Sequence, residues 1–318
     1  MIDLSEIEGN FEFLGIIDKP KAGVTYKVRN RTTGEFESLR ALPGASYSDP
    51  ESLHRFLREI NVHTRLSHPN IVAFHDVLEI EGRLVMTAEF VEGTTLAELC
   101  RHGRLTSAET IRIISGVLAG LEEAHGMGIL HRGITAEHVT VTPHGEVKLG
   151  GFGLAKPVTD VALTQPGAVV GDARYMSPEQ VMGTGPLDFR ADLYSVGVLL
   201  FQGLTGRVPF DGANDFEIMV AQVDTQPTRP SAFNPGIAPE LEHIVLTALS
   251  KQPAERFASA REFRRALAGL TGPVLVLPQP SPPPPAIPQT AEAEFQTKGP
   301  THRPRARWLL GLLGVSMS

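Results

Sequence analysis

A run of prolines divides this chain into a part that can build a core and a part that cannot. Pro278-Gln279-Pro280-Ser281-Pro282-Pro283-Pro284-Pro285-Ala286-Ile287-Pro288 favours an extended polyproline conformation, because each pyrrolidine ring fixes φ and removes an N–H. The composition shifts near residue 271. Before it apolar residues recur with secondary-structure periods, and after it proline dominates. The expected folded unit is therefore 11–270, followed by a Pro-rich linker over 271–302 and a tail over 303–318. In the tail Arg303, Arg305 and Arg307 precede Trp308-Leu309-Leu310-Gly311-Leu312-Leu313-Gly314-Val315. That apolar run is shorter than the roughly 20 residues a spanning helix needs. Its arginines and tryptophan suit a weak contact of 303–315 with a membrane surface.

The folded part is of ordinary globular composition, 42% hydrophobic and 20% charged over the whole chain, which argues against disorder. A net charge of -7 gives no reason to expect nucleic acid as a partner. Cys100 is the one cysteine, so an intramolecular disulfide and a cysteine metal cluster are both ruled out. With no N-terminal apolar segment of signal-peptide type, a cytoplasmic location is expected, at the inner face of a membrane if the tail makes its contact.

Within 11–270 the periodicity changes along the chain. Residues 11–28 and 34–42 read as short strands rich in Phe, Ile, Val and Leu. Asp49-Pro50, followed by Leu53, Phe56, Leu57 and Ile60, reads as a capped helix with one apolar face. Thr106 and Glu109 form a capping box ahead of the stripe Ile111, Ile114, Val117, Leu118 and Leu121. Residues 190–205, with Leu193, Val196, Leu199 and Leu200, read as a largely buried helix. Ser259 with Glu262 opens a last amphipathic helix ending near Leu270. Strands first and helices after predict an α+β protein in two lobes, a small β-rich lobe over about 11–90 and a larger helical lobe over about 91–270.

Several motifs then fall in a recognisable order. They are Phe56-Leu57-Arg58-Glu59 with His68-Pro69-Asn70-Ile71-Val72, Phe90-Val91-Glu92-Gly93, His131-Arg132-Gly133-Ile134-Thr135-Ala136-Glu137-His138 and Gly150-Gly151-Phe152-Gly153. After these come Tyr175-Met176-Ser177-Pro178-Glu179-Gln180, Asp192-Leu193-Tyr194-Ser195-Val196-Gly197 and Arg256-Phe257. In this order and spacing they resemble the Hanks-type serine/threonine protein kinases, particularly the bacterial ones, over about residues 11–270. The resemblance implies the bilobal protein-kinase-like fold. It makes Phe56–Glu59 part of a regulatory helix, Phe90–Gly93 a hinge, and Tyr175–Gln180 the end of an activation segment.

Kinase chemistry is mostly positioning and charge neutralisation around a triphosphate, and the resemblance shows which residues stand at each point. The three glycine positions of the phosphate loop fall on Asp18, Pro20 and Gly23. The strand lysine falls on Arg40, which keeps the charge in a bulkier, planar form. Its partner Glu59 is present, so an Arg40–Glu59 pair is expected to hold the helix inward. The catalytic base falls on Gly133, the γ-phosphate lysine on Thr135, and the two magnesium ligands on His138 and Gly151. Magnesium asks for hard oxygen ligands in octahedral geometry, and neither residue type supplies one. His138 is expected as a space-filling or hydrogen-bonded histidine.

The slot for adenine is lined by Thr25, Ser38 and Thr140, with small Ala88 at its back. These hydroxyls are expected to bond to each other, to backbone or to trapped water. If nucleotide binds at all, Arg40, Glu59, Gly23, Glu89 and Val91 are the candidate contacts. What stays is architectural. His131 and Phe152 match an apolar spine, Arg132 the arginine that receives an activation-loop phosphate, and Glu179, Asp192 and Arg256 the anchors of the large lobe. Thr159 and Thr164 are candidate phosphorylation sites of the activation segment. Asp172, which replaces a threonine near the vacated base, is either a relocated carboxylate or the partner of Arg174 or Arg132.

The expectation from these residues is a pseudokinase. That is a non-catalytic binding, scaffold or regulatory module of serine/threonine kinase signalling, with a protein partner such as an active kinase, no metal and no cofactor. Two alternatives stay open. One is a metal-independent sensor that binds ATP without magnesium. The other is a divergent but active ATP-dependent kinase.

Overall fold

Strand alternation builds the small lobe. The structure, a computed structural model, describes residues 9–18, 24–41, 50–80, 83–157, 171–183 and 185–271. Pro20, Gly23, Thr159, Thr164, the linker from 272 onward and the tail lie outside the described residues. Strands β1 (Phe11–Asp18), β2 (Val24–Asn30) and β3 (Phe36–Ala41) are followed by helix α1 (Pro50–His63), β4 (Phe74–Ile80) and β5 (Arg83–Glu89). The strands pair antiparallel in the order β1-β2-β3-β5-β4. Because side chains alternate between the faces of a strand, Tyr26, Val28, Leu39 and Ala41 join Phe11 and Val85 in a core on one face. Thr25, Lys27, Ser38 and Arg40 are left half-buried on the other.

The expected strand over 34–42 begins at Phe36, because Gly34 (φ +76°) and Glu35 close the hairpin back to Asn30. In α1 the inner face is Leu53, Phe56 and Ile60, packed with Met86, Phe74, Val77 and Leu84. Leu57, expected on that face, is exposed. One residue beyond Phe56 the helix has turned about 100°, out of the contact.

Helices dominate the large lobe. After β6 (Thr94–Thr95) come α2 (Leu96–Arg101) and α3 (Ser107–Gly126). The α3 N-terminus carries the expected capping box, with Thr106 accepting from the Glu109 N–H and Glu109 returning to the Thr106 N–H. Ile111, Ile114, Val117, Leu118 and Leu121 are all buried. Short strands β7 (Ile129–Leu130), β8 (Val139–Val141), β9 (Val147–Leu149) and β10 (Lys156–Pro157) surround the junction. They pair as β6-β8-β9 and β10-β7.

Helix α4 (Pro178–Met182) leads to α5 (Arg190–Thr205), α6 (Asp215–Asp224), α7 (Pro239–Ala248) and α8 (Ala260–Thr271). Helix α5 is buried nearly all round, with Leu193, Val196, Leu199 and Leu200 at 0% exposure. A Cβ on Gly197 would stand 2.8 Å from that of Ala248, so the glycine permits the close approach of α5 and α7. Helix α8 opens on Ser259, whose hydroxyl accepts the Glu262 N–H at 3.1 Å. It ends at Thr271, one residue inside the stretch expected to be linker.

Arg256 ties the lobe's lower half together. Its side chain is fully buried and forks onto both oxygens of Glu179 at 2.7 and 2.8 Å. It also donates to the carbonyls of Arg190, Ser250 and Lys251. Removing one partner of a buried pair strands the other charge. Arg256→Ala is therefore expected to lower the unfolding free energy by about 3–5 kcal/mol in a urea titration. Arg264→Ala, which breaks an exposed pair with Glu122, should change it by less than about 1 kcal/mol.

Candidate functional site at the lobe junction

The segment joining the lobes is bonded to both of them by side chains. Ser38 lies opposite Ala88 in the β3–β5 register. Its hydroxyl donates to the carbonyls of Ala88 at 3.3 Å and Glu89 at 3.4 Å, so the expected hydroxyl–backbone bond is present for this residue. The Glu89 carboxylate accepts from Lys148 Nζ at 2.8 Å and from the Ala73 N–H at 3.1 Å. Lys148 stands on β9, so this pair links the small lobe's last strand to the large lobe. Lys27 Nζ sits 4.0 Å from the centroid of the Phe90 ring. Farther along, Gly93 passes so close to the Val141 carbonyl that a Cβ would meet its oxygen at 2.4 Å.

Behind this segment, Arg40 Nη2 donates to Glu59 Oε2. Glu59 is buried on α1, and the Arg40 Nε has no hydrogen-bond partner among the described residues. One turn beyond Glu59, the ring of His63 meets Phe152 edge-on at 5.4 Å. Phe152 in turn packs on His131 at 4.4 Å, so the expected spine of His131 and Phe152 reaches α1 through His63.

The loop 131–138 is anchored by Asp192, 1% exposed in the first turn of α5. Its carboxylate accepts from the backbone N–H groups of His131 (2.9 Å) and Arg132 (2.8 Å), and it bonds His125 Nε2 at 2.9 Å. Arg132 holds φ +64°, the single positive φ of a non-glycine residue among those described. Gln180 Nε2 donates to the Arg132 carbonyl at 3.0 Å, which joins the Ser177–Gln180 turn to the loop.

At the loop's tip, His138 Nδ1 lies 2.7 Å from the Gly133 carbonyl oxygen and 3.2 Å from Thr135 Oγ1. The first contact requires that Nδ1 carry the proton. The His138 ring also fills the space beside Gly151. A Cβ on Gly151 would stand 2.4 Å from His138 Cγ, and Gly151 itself has φ +78°. Beside Gly133 remains a cavity of about 10 Å³, lined in part by Arg132, Thr135, Asp172, Tyr175 and Gln180, about the room of one water. Asp172 spends both oxygens on Arg174, with Nε at 2.9 and 3.1 Å and Nη2 at 2.5 Å. It thus takes the Arg174 option of the expected pairings.

Burial sets the electrostatics here. It pushes the His131 imidazole down to about 4, against the opposing pull of Asp192. It also lowers His138, although the Gly133 carbonyl favours the charged ring. For Asp192, burial acts to raise the carboxyl. The hydrogen bond from His125, the nearby histidines and the Arg132 N–H outweigh it and hold the group below the usual carboxylate range.

The chain matches the protein kinase domain family over residues 11–266 and belongs to it. It is 37% identical over 263 residues to a probable serine/threonine-protein kinase of Streptomyces coelicolor, covering 80% of this chain and 39% of that protein. To serine/threonine-protein kinase pkn3 of Myxococcus xanthus it is 37% identical over 265 residues, covering 79% of this chain and 48% of the relative. The kinase domain of Mycobacterium tuberculosis PknI shares the fold at a TM-score of 0.63 and 28% identity, over 82% of this chain and 95% of that one. The fold is thus the bilobal α+β fold of the bacterial Hanks-type family. The chain spans less than half the length of either curated relative. No helix among the described residues is long and apolar enough to cross a membrane.

Sequence reasoning passed over His63, Lys148 and Lys27. His63 was visible as the residue four after Glu59, hence on the same helix face. Lys148 and Lys27 carried no signal, since their partners are set by how strands and lobes meet.

Two outcomes are expected. Gly151→Asp alone collides with His138 and should lose about 2 kcal/mol or more of stability. Adding His138→Asn should recover at least half of that loss, a coupling readable in a double-mutant cycle. For His131 the folded-state value lies below that of a free histidine, so folding favours the neutral ring. The stability this contributes is present above about pH 6.5 and is lost as the pH falls through about 4, which a series of thermal melts across that window checks.

Proposed function

We propose that this kinase-fold domain is a pseudokinase, a non-catalytic binding and regulatory module that works with a protein partner in serine/threonine kinase signalling. The observation that carries the reading is the interlock of His138 with Gly151. By the family's pattern these two positions hold the magnesium ligands. Here the first is an imidazole whose Nδ1 is committed to the Gly133 carbonyl, and the second is a glycine whose missing side chain leaves the space that ring fills. An imidazole and a glycine do not fit a cation that demands hard oxygen donors at octahedral corners. Gly133 brings no carboxylate to take a proton from a substrate hydroxyl. The candidate replacement, Asp172, has both oxygens on Arg174.

What remains is the frame. The Arg40–Glu59 pair holds α1 against the sheet, and Ser38, Lys148 and Lys27 bond the hinge from both sides. The partner is a protein, with an active kinase of the same family as the first candidate. The location proposed is cytoplasmic, at the inner membrane face if 303–315 makes its weak contact.

A second reading, a metal-free nucleotide sensor, is favoured by one atom. The Arg40 Nε–H is buried without an acceptor among the described residues, a donor that a phosphate oxygen would satisfy.

A thermal-shift titration of the chain with ATP, in magnesium and then in EDTA, separates these readings, alongside a radiolabel phosphotransfer assay. Ligand at 100 times its dissociation constant adds about 2.7 kcal/mol. The expected result is no shift in either buffer and no transfer. A shift that survives EDTA selects the sensor. A magnesium-dependent shift with transfer that Arg40→Ala abolishes overturns the pseudokinase.

A further inference from the structure

Helix α1 presents a buried imidazole among the apolar side chains of its inner face. His63 is 6% exposed in the last turn. Its ring meets Phe152 edge-on at 5.4 Å and lies tilted 6.4 Å from Phe74. Its Nδ1 has no hydrogen-bond partner among the described residues, and its Nε2 stands 4.0 Å from Glu59 Oε1. The other oxygen of the same carboxylate holds Arg40. One buried anion thus has one cation engaged and a second potential cation a single turn away, silent while its ring is neutral.

We propose that His63 is an acid-released latch between helix α1 and the lobe junction. While neutral, His63 packs on Phe152 and leaves Glu59 to Arg40. Once protonated, the ring carries a charge that its apolar seat cannot solvate, and Glu59 is the acceptor within reach. Turning to Glu59 draws the carboxylate from Arg40 and withdraws the ring from Phe152. Helix α1 then loosens from β3 and from residues 152–154 together.

The groups facing His63 among the described residues are few. Glu59 comes from its own helix and Arg40 from β3, while Phe74 of β4 and Phe152 are uncharged. Behind Phe152 stands His131, whose own neighbours are Asp192 and His138. Burial disfavours the charged ring most, Glu59 opposes that, and Arg40 adds to it. The ring is therefore neutral near neutral pH and takes its proton only on acidification below the usual histidine range.

The test is amide hydrogen exchange of the full chain, read by mass spectrometry at about pH 7.5, 6.5 and 5.5 and corrected for intrinsic exchange. Peptides from 50–63 are compared with peptides from 190–205 as an internal reference. Protection of α1 relative to α5 is expected to fall about tenfold across that range. In His63→Leu, which keeps His131 and His138, the ratio is expected to stay flat. His63→Gln, neutral and closer in polarity, gives the same comparison if the leucine variant does not fold. A constant ratio in the wild-type chain, or an equal fall in the variants, overturns the proposal. The readout is structural, so it stands apart from the phosphotransfer assay.

Discussion

Asp192 is the carboxylate on which the lobe junction depends. Seated in the first turn of the most buried helix, it receives the N–H groups of two successive loop residues and the imidazole of His125. Arg132 can hold its left-handed backbone, a conformation that costs about 1–3 kcal/mol, because these bonds over-determine it. The backbone at His131 and Arg132 is thus inherited from α5, while the side chain of His138 bonds the loop at Gly133. A frame held from behind in this way tolerates replacement at its tip.

The contact between the lobes follows a similar logic. Arg40, Glu59, His63, Phe152 and His131 form a continuous path from β3 through α1 to the loop. Gly153 fits because a Cβ there would come within 3.2 Å of Glu59 Oε2. At the hinge, the Glu89–Lys148 pair and the Lys27–Phe90 contact bond the connecting segment to strands of both lobes. Side chains of the protein itself therefore make contacts that hold the lobes together.

Much of this architecture was readable in advance, for local reasons. The Thr106–Glu109 box and the α3 stripe depend on spacing along one helix, and both are present in the fold. The Arg40–Glu59 and Glu179–Arg256 pairs were legible through motif order, since each partner sits in a recognisable segment. Leu57 was misplaced because an apolar residue at the edge of a helical stripe differs from one inside it by a single 100° step, and only the neighbouring sheet decides which one is covered. His63 and Lys148 went unread because a histidine or lysine acquires its role from what packs on it.

The sequence by itself determined the two-lobed α+β order, the openings of α3 and α8, and the residue types at the motif positions. These are properties of spacing and of single side chains, and they survive without knowledge of neighbours. Only the tertiary structure decided that the His138 ring occupies the room left by Gly151, that Asp172 turns to Arg174, and that Glu59 has His63 within reach as well as Arg40. Each of these depends on atoms from segments far apart in the chain arriving within a few ångströms, and close packing settles which of them share one space.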